Sequence, residues 1–600
     1  MSARRLIARA LAVALAVALA GCAAPPAAPP LSQAVPEAAS GWTPRRGVAA
    51  AHFMVAAANP LATEAGYDIL RAGGSAVDAA VAVQMVLNLV EPQSSGIGGG
   101  AFLLHWDGRE VQAWDGRESA PAESDERMFL GADGRPPPFA QAVFGGRAVA
   151  TPGAVRMLEA AHRQHGKLPW ARLFEPAIAL AEQGFAVSPR LHAQLDREQI
   201  LRRDPLARAY FYRADGTPHP VGHVLRNLAL AVVLRAIAVQ GSRALHEGPI
   251  AADLAARVRG HAVPGRLSAA DLANYQAKQR QPMCTDWRVH LRVCGMGPPS
   301  SGHIAVMQIL GLMERLPDGQ AALTDGVPGP AWLHAYAEAA RLAFADRAQY
   351  VADPEFVPAP GGDWRMLLDG AYLSQRAALI GPRRMPEAPA GRPADAPLAW
   401  APMPEQPEHG TSHISVVDAQ GHALAMTTTI EAAFGARVMA DGGTGLPGGY
   451  LLNNEMTDFS LAPADAQGRP VANRIQPGKR PRSSMSPTLV FDKRDGRLLM
   501  TVGSPGGPVI IHFTAKTMVG TLAWGLDAQS AIDLPNFAVL GGPLLLEAGR
   551  FPAATRQALR ERGHEVVETE LTSGLQAIQR TPSGWFGGAD PRREGVVRGD

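Results

Sequence analysis

The stretch His409-Gly-Thr-Ser-His-Ile-Ser-Val-Val-Asp418 decides how the chain is read. Gly410 ends a loop, and Ile414, Val416 and Val417 belong to a strand. Between them stands Thr411. Inside a chain, threonine is a poor nucleophile with no adjacent base. Cutting the Gly410–Thr411 bond gives Thr411 a free α-amine beside its own hydroxyl. An α-amine has a pKa of about 8, so much of it accepts a proton near neutrality. That pair is the threonine and terminal-amine form of an activated nucleophile. Taken alone, the stretch equally fits a polar loop entering a strand, and its surroundings decide between the two.

Downstream the chain reads as short strands. Residues 414–417 and 423–429 are joined by Asp418-Ala-Gln-Gly421, a turn signal. An antiparallel return brings Thr429 back toward Thr411. Gly449-Tyr-Leu-Leu-Asn-Asn-Glu-Met-Thr-Asp-Phe459 and Arg480-Pro-Arg-Ser-Ser-Met-Ser-Pro487 follow. Residues 488–491 and 498–502 form a hairpin around Asp495-Gly496. Gly503-Ser-Pro-Gly-Gly-Pro508 opens a helix from Val509 to about Leu522. Backbone N–H groups at such a start suit an anion; a plain glycine-rich turn is the other reading.

Upstream, Asn59-Pro60 opens a helix that stops at Gly73-Gly74, and Ser75 with Asp78 caps the next. That second helix, 76–90, is apolar almost all round and is expected to be buried on every side. In Glu91-Pro-Gln-Ser-Ser-Gly-Ile-Gly-Gly-Gly-Ala101, the residues Gly96, Gly98 and Ala101 match a relaxed dinucleotide fingerprint. The fingerprint needs a strand before it and a helix after it. Here a helix precedes and 102–106 reads as a strand, so the glycines serve close backbone packing. Asp107-Gly108 turns into a second strand, and Arg117-Glu-Ser-Ala-Pro121 follows. An arginine there is placed to grip a carboxylate bidentately, or else to pair with Glu118 at the surface. From 152 to 280 the pattern is helical, with helices at 155–165, 170–183 and 225–239 and a capping box at Ser268-Ala-Ala-Asp271. Helices at 304–313 and 331–346 follow, the latter with a stripe of Leu333, Ala337, Ala340 and Leu342. Residues 398–408 hold three prolines and form a flexible approach to the cut.

Six hundred residues exceed one simple core, and a formal net charge of +2 gives no sign of a nucleic-acid partner. Arg4, Arg5 and Arg9 precede an apolar run from Leu11 to Ala20, as in a secretory signal. The run ends Leu19-Ala20-Gly21-Cys22, which resembles the bacterial lipoprotein signal. That resemblance implies a signal peptide over 1–21 and acylation of Cys22; a plain cleavage site is the alternative. Residues 22–45, rich in Pro and Ala, read as an extended tether. The expectation is an exported, periplasmic domain, lipid-anchored at a Gram-negative outer membrane. Cys284 and Cys294 flank a hairpin-like segment and read as a disulfide or as two buried thiols. No histidine cluster accompanies them, so no metal site is expected.

Together these pieces resemble a known family. Thr411-Ser-His-Ile-Ser-Val-Val-Asp418, Arg480-Pro-Arg-Ser-Ser-Met-Ser-Pro-Thr488 and Gly503-Ser-Pro-Gly-Gly507 resemble the small subunit of γ-glutamyltranspeptidases. Val90-Glu-Pro-Gln-Ser-Ser-Gly-Ile-Gly-Gly-Gly100 and Arg117-Glu-Ser-Ala-Pro121 look like their large subunit. The resemblance runs from about Ala49 to near the carboxyl terminus. It implies an α/β amino-terminal-nucleophile fold, an αββα sandwich. It also implies a zymogen that cuts itself at Gly410–Thr411 into a large subunit, 46–410, and a small catalytic subunit, 411–600. The implied activity is γ-glutamyl hydrolysis and transfer on glutathione and related compounds. The acyl group rests as an ester on Thr411 and passes to water or to an amino acid or peptide amine, with no cofactor.

By the same resemblance, Gly506 and Gly507 supply N–H groups to the oxyanion and Thr429 supports the nucleophile. Arg117, Ser483 and Ser484 match positions that hold the donor α-carboxylate, and Glu431, Glu455 and Asp458 match positions around its α-ammonium. Glu431 stands where many members have asparagine, and Glu455 where many have glutamine. Three acids near one ammonium repel one another, so at least one is expected to have a raised pKa. A glutaryl group lacks that amine and is expected to be disfavoured. Residues 460–478 are short and contain no tyrosine, whereas some members close the pocket with a tyrosine-bearing lid, so appreciable hydrolysis is expected. The alternatives are a sibling acylase acting on another amide, such as a β-lactam side chain, and a lipoprotein that binds glutamyl peptides without turnover.

Overall fold

Side chains of the strand Ser412–Val417 alternate between two layers. Ile414 and Val416 enter a cluster of helical side chains, whereas Val417 enters the space shared with a second sheet. The computed structural model describes residues 41–316, 322–407 and 410–600. In the first sheet the strands run Val596–Gly599, Met54–Ala57, Ser412–Val417, Ala423–Thr429, Gly100–Trp106, Val111–Asp115, Lys278–Arg280. In the second they run Val48–Ala50, Gly584–Ala589, Gln576–Thr581, Leu498–Gly503, Thr488–Asp492, Leu291–Gly295, Met283–Trp287. Neighbours in both sheets pair antiparallel.

Phe102, Leu104 and Ala425 of the first sheet meet Leu489, Phe491 and Ile578 of the second. The outer face of the first sheet is covered by helices that include Ala76–Val90 and Ala154–His165. That of the second is covered by Gly302–Met313, Pro330–Tyr350 and Ile510–Leu522. The order of layers is therefore helix, sheet, sheet, helix, the αββα sandwich expected.

Local signals held where capping chemistry was explicit. Asn59 accepts from the Leu61 N–H, and Ser75 and Asp78 close a reciprocal capping box, as do Ser268 and Asp271. Every residue of Ala76–Val90 is buried. The glycines after it do allow close approach: a Cβ on Gly98 would lie 2.2 Å from the Leu451 carbonyl oxygen, and one on Gly99 would lie 2.0 Å from that of Thr429.

Other boundaries moved. The segment 170–183 is a 3₁₀ turn, Trp170–Phe174, followed by a separate helix, Glu175–Gln183, whose early proline suits a helix start. The helix expected from 225 starts at Leu228, because Val224–Leu225 pairs with Phe185–Ala186 and Asn227 caps the helix. Pro330–Tyr350 is buried around most of its circumference rather than along one stripe. Cys284 and Cys294 stand opposite each other in the hairpin and form a disulfide. Among the described residues no helix is long and apolar enough to cross a membrane. The expected signal peptide, Cys22 and most of the tether lie outside the described residues, as do Glu408 and His409.

One buried polar joint fixes the central strand to the helical layer. Glu91 follows the helix Ala76–Val90 and accepts 2.9 Å from the Ser412 hydroxyl. Arg190 Nε lies 3.4 Å from the other Glu91 oxygen, and Arg593 donates 3.4 Å to the Thr411 carbonyl. Burial pushes the Glu91 carboxyl up to about 7, against the opposing pull of Arg190, Arg593 and Ser412. Between its ordinary 4.5 and about 7, the folded protein holds a proton that the unfolded chain has lost. By linkage this group makes stability fall as pH rises through that window. Glu91→Gln removes the titration, so its melting temperature will fall less across the window than that of the wild type; equal slopes in thermal melts would refute this.

Candidate active site

Register sets the centre of the site. Ser412 pairs with Thr428, so the next residue of the return strand, Thr429, reaches the peptide just ahead of Thr411. The Thr429 hydroxyl donates 3.0 Å to the Gly410 carbonyl. It also accepts 2.8 Å from the Glu431 N–H, which turns its own hydrogen toward that carbonyl. The Thr411 hydroxyl contacts the same carbonyl. Gly410 has φ +61°, the left-handed region where a side chain is penalised. A hydroxyl and a polarised amide thus meet at one peptide whose conformation glycine permits, a geometry suited to attack of Thr411 Oγ1 on the Gly410 carbon. Among the described residues, the neighbouring imidazole of His413 is not placed to serve as base. His413 points between the sheets, bonded to Thr427 at 2.9 Å and Ser415 at 3.1 Å, and burial lowers its pKa to about 3.

Arg117 is buried, with 1% of its surface exposed, and is not the surface pair the sequence allowed. Its Nη1 lies 2.6 Å from Glu455 and 3.5 Å from Glu118, and its Nη2 pairs with Asp458. The Nε donates 3.2 Å to the Pro481 carbonyl, and Nη2 also donates 3.0 Å to that of Arg482. Burial disfavours its charge, yet Glu455, Asp458 and Glu118 hold its pKa above the ordinary arginine value. Asp115 at the end of its strand accepts 2.8 Å from the Arg117 N–H and pairs with Arg480. Glu455 and Asp458 come from one loop: Asn453 bonds the Gly98 and Ala150 carbonyls at 2.8 and 2.9 Å, and the turn Glu455–Asp458 follows. Asn454 donates to the Glu431 carboxylate. Glu431 itself has φ +71°, a strained value for a residue with a side chain. Burial raises the pKa of Glu455, with Glu118, Asp458 and Glu431 adding to the rise and Arg117 opposing it. Burial likewise pushes Glu118 up to about 8.

Ser483 and Ser484 are held from the helical layer of the second sheet. Ser301 donates its N–H and hydroxyl to the Ser483 carbonyl at 2.8 and 2.7 Å. Arg347 donates 2.5 Å to the Ser484 hydroxyl and 2.9 Å to that of Ser301. Gly506 and Gly507 both have positive φ, +136° and +55°, at the turn into Ile510–Leu522. One small cavity is lined by Arg117, Thr411, Thr429, Glu431, Asp458, Ser483, Ser484 and Gly507, with Met485 and Ile510. Of the expected residues, Glu455 and Gly506 are outside that lining; Glu455 meets Arg117 and Gly506 precedes Gly507. Sequence reasoning missed Arg347, Asn454 and the Glu91 joint. An arginine within the apolar pattern of 331–346 and its extension was the available signal for Arg347. The partners of Asn454 and Glu91 depend on distant segments.

The comparisons with known proteins agree with this geometry. A profile of the family described as Gamma-glutamyltranspeptidase matches residues 62–599. A glutathione hydrolase proenzyme of Bacillus subtilis (strain 168) is 34% identical over 561 residues, 91% of each chain. One of Escherichia coli (strain K12) is 34% identical over 555 residues, again 91% of each. Among solved structures, a cephalosporin acylase from Bacillus halodurans superposes with a TM-score of 0.79 at 28% identity, covering 94% of this chain and 99% of that one. With nearly the whole chain matched, this protein belongs to the gamma-glutamyltranspeptidase family.

Proposed function

We propose that the protein is a γ-glutamyl hydrolase and transferase that matures by cutting itself between Gly410 and Thr411. The observation that carries this reading is the cavity in which Thr411 faces Arg117, Asp458 and two buried serines. A guanidinium and a carboxylate side by side complement a zwitterion, and a γ-glutamyl group ends in one. In maturation, Thr411 Oγ1 adds to the Gly410 carbon, the C–N bond breaks, and the acyl group moves to oxygen. Water then opens the ester, leaving a Gly410 carboxylate and a free Thr411 amine. In turnover, that amine takes the hydroxyl proton, directly or through water, while Oγ1 attacks the γ-amide carbon. The leaving amine departs with a proton, and the γ-glutamyl ester passes to water or to an acceptor amine. Gly506 and Gly507 support the reading as oxyanion donors, each worth about 3 kcal/mol of barrier. Residues 460–478, without a tyrosine, favour appreciable hydrolysis.

The likeness to a cephalosporin acylase favours one second reading, cleavage of a different amide. The acids around the cavity argue for an acyl group that carries an amine. Incubation of the mature protein with glutathione is expected to release free glutamate. Release of glutarate from a glutaryl amide, with none of glutamate from glutathione, would reverse the ranking. Wild-type protein is expected to run as two fragments, the shorter beginning Thr-Ser-His-Ile, and Thr411→Ala as one inactive band. A two-band Thr411→Ala protein would remove Thr411 from the cutting step.

We also infer that the chain is exported to the periplasm and lipid-anchored through Cys22. The arginine-led apolar run and Leu19-Ala20-Gly21-Cys22 support this, and a disulfide at Cys284–Cys294 suits an oxidising compartment. The mass spectrum of the intact large subunit from membranes is expected to begin at Cys22 and carry acyl chains. A soluble protein without added lipid mass would refute the anchor.

A further inference from the structure

The guanidinium of Arg117 has five N–H hydrogens, and the protein sets five oxygens beside it, four as hydrogen-bond acceptors and that of Glu455 as an ion pair. They are Glu455 at 2.6 Å and Glu118 at 3.5 Å on Nη1, Asp458 and the Arg482 carbonyl on Nη2, and the Pro481 carbonyl on Nε. Asp458 lines the cavity beside Thr411, whereas Glu455 meets Nη1 outside the cavity lining and is wholly buried. The cation expected to hold a donor carboxylate is therefore already faced by a carboxyl group of the protein.

We propose that Glu455 is a specificity-determining residue that sets, through Arg117, how strongly the pocket holds the α-carboxylate of an acyl donor. The proposal rests on the γ-glutamyl reading. Ionised, Glu455 cancels the guanidinium charge, and the pocket favours a donor end bearing only an amine. Protonated, it leaves that charge to the donor, and a carboxylate beside the amine is held as well. Among the described residues the groups facing Glu455 are Arg117, Glu118, Asp458 and Glu431, and burial with the three acids favours its protonated form against the pull of Arg117. Rising pH removes that proton and shifts the balance away from the α-carboxylate. Glu455→Gln abolishes the charge and keeps the side chain's size, while the hydrogen bonds to Pro481, Arg482, Asp458 and Glu118 retain the position of Arg117.

The test is calorimetric binding of L-glutamate and of 4-aminobutyrate to the mature two-fragment protein. The second ligand is the first without its α-carboxylate, so the ratio of their dissociation constants isolates that group. In the wild type, preference for glutamate is expected to weaken from mildly acidic to mildly alkaline buffer. In Glu455→Gln it is expected to be about tenfold stronger at the alkaline end, the effect of one charge-assisted contact, and to vary less with pH. Glu118→Gln, acting on the same Nη1 from farther away, is expected to move the ratio in the same direction by less, and it carries the test if Glu455→Gln fails to mature. A ratio unmoved by both variants, or a weaker glutamate preference in Glu455→Gln, overturns the proposal. These outcomes are read without turnover, so they stand apart from the release of glutamate from glutathione, which tests the γ-glutamyl reading itself.

Discussion

The pairing of Ser412 with Thr428 is the constraint from which the site follows. In an antiparallel ladder a slip of one residue sends every side chain to the opposite face. With the observed register, Ile414 and Val416 fill the helical core, and Ser412 meets Glu91 behind the strand. Thr411 then sits at the strand's start with Thr429 alongside. A slip would send His413 and Ser415, which bond Thr427 and Thr501 in a polar seam between the layers, into the apolar helical core. The hydrophobic pattern thus enforces the approach of two hydroxyls to one carbonyl.

Electrostatics in the cavity obeys a different constraint. A buried guanidinium is tolerated only when its hydrogens find acceptors and its charge finds a counter-ion. Arg117 meets both demands through the loop 453–458 and the carbonyls of Pro481 and Arg482. Burial drives Glu455 and Glu118 upward, and the neighbouring acids add to the rise against the pull of Arg117. On the proposed function, selection for a donor amine and control of the donor carboxylate both draw on this one cluster of charges.

Much of this was legible in sequence because it depends on local rules. Capping boxes at Ser75 and Ser268, the turn at Asp418–Gly421 and the all-apolar helix 76–90 each follow from a few adjacent residues. The proposed nucleophile Thr411 and the glycine before it could be picked out in sequence because their chemistry needs only each other. What was not legible depends on long separations. By its own neighbours Arg117 read as either a carboxylate grip or a surface residue, because the segments that close over it lie more than three hundred residues away. The helix at 330–350 looked one-sided because nothing nearby in sequence announces that it is packed on most sides. Glu91 was visible within a motif, but its partners Ser412 and Arg190 come from separate stretches.

The order of strands has a consequence for the cut chain. In the first sheet, segments from beyond the break alternate with segments from before it: Val596–Gly599, then Met54–Ala57, then the hairpin 412–429, then Gly100–Trp106. In the second, four consecutive strands from beyond the break lie dovetailed between earlier ones at both edges. Severing the backbone therefore frees neither piece. To part, the two halves would have to tear ladders in both sheets at once, so scission yields a new amine while leaving the architecture welded as a single body.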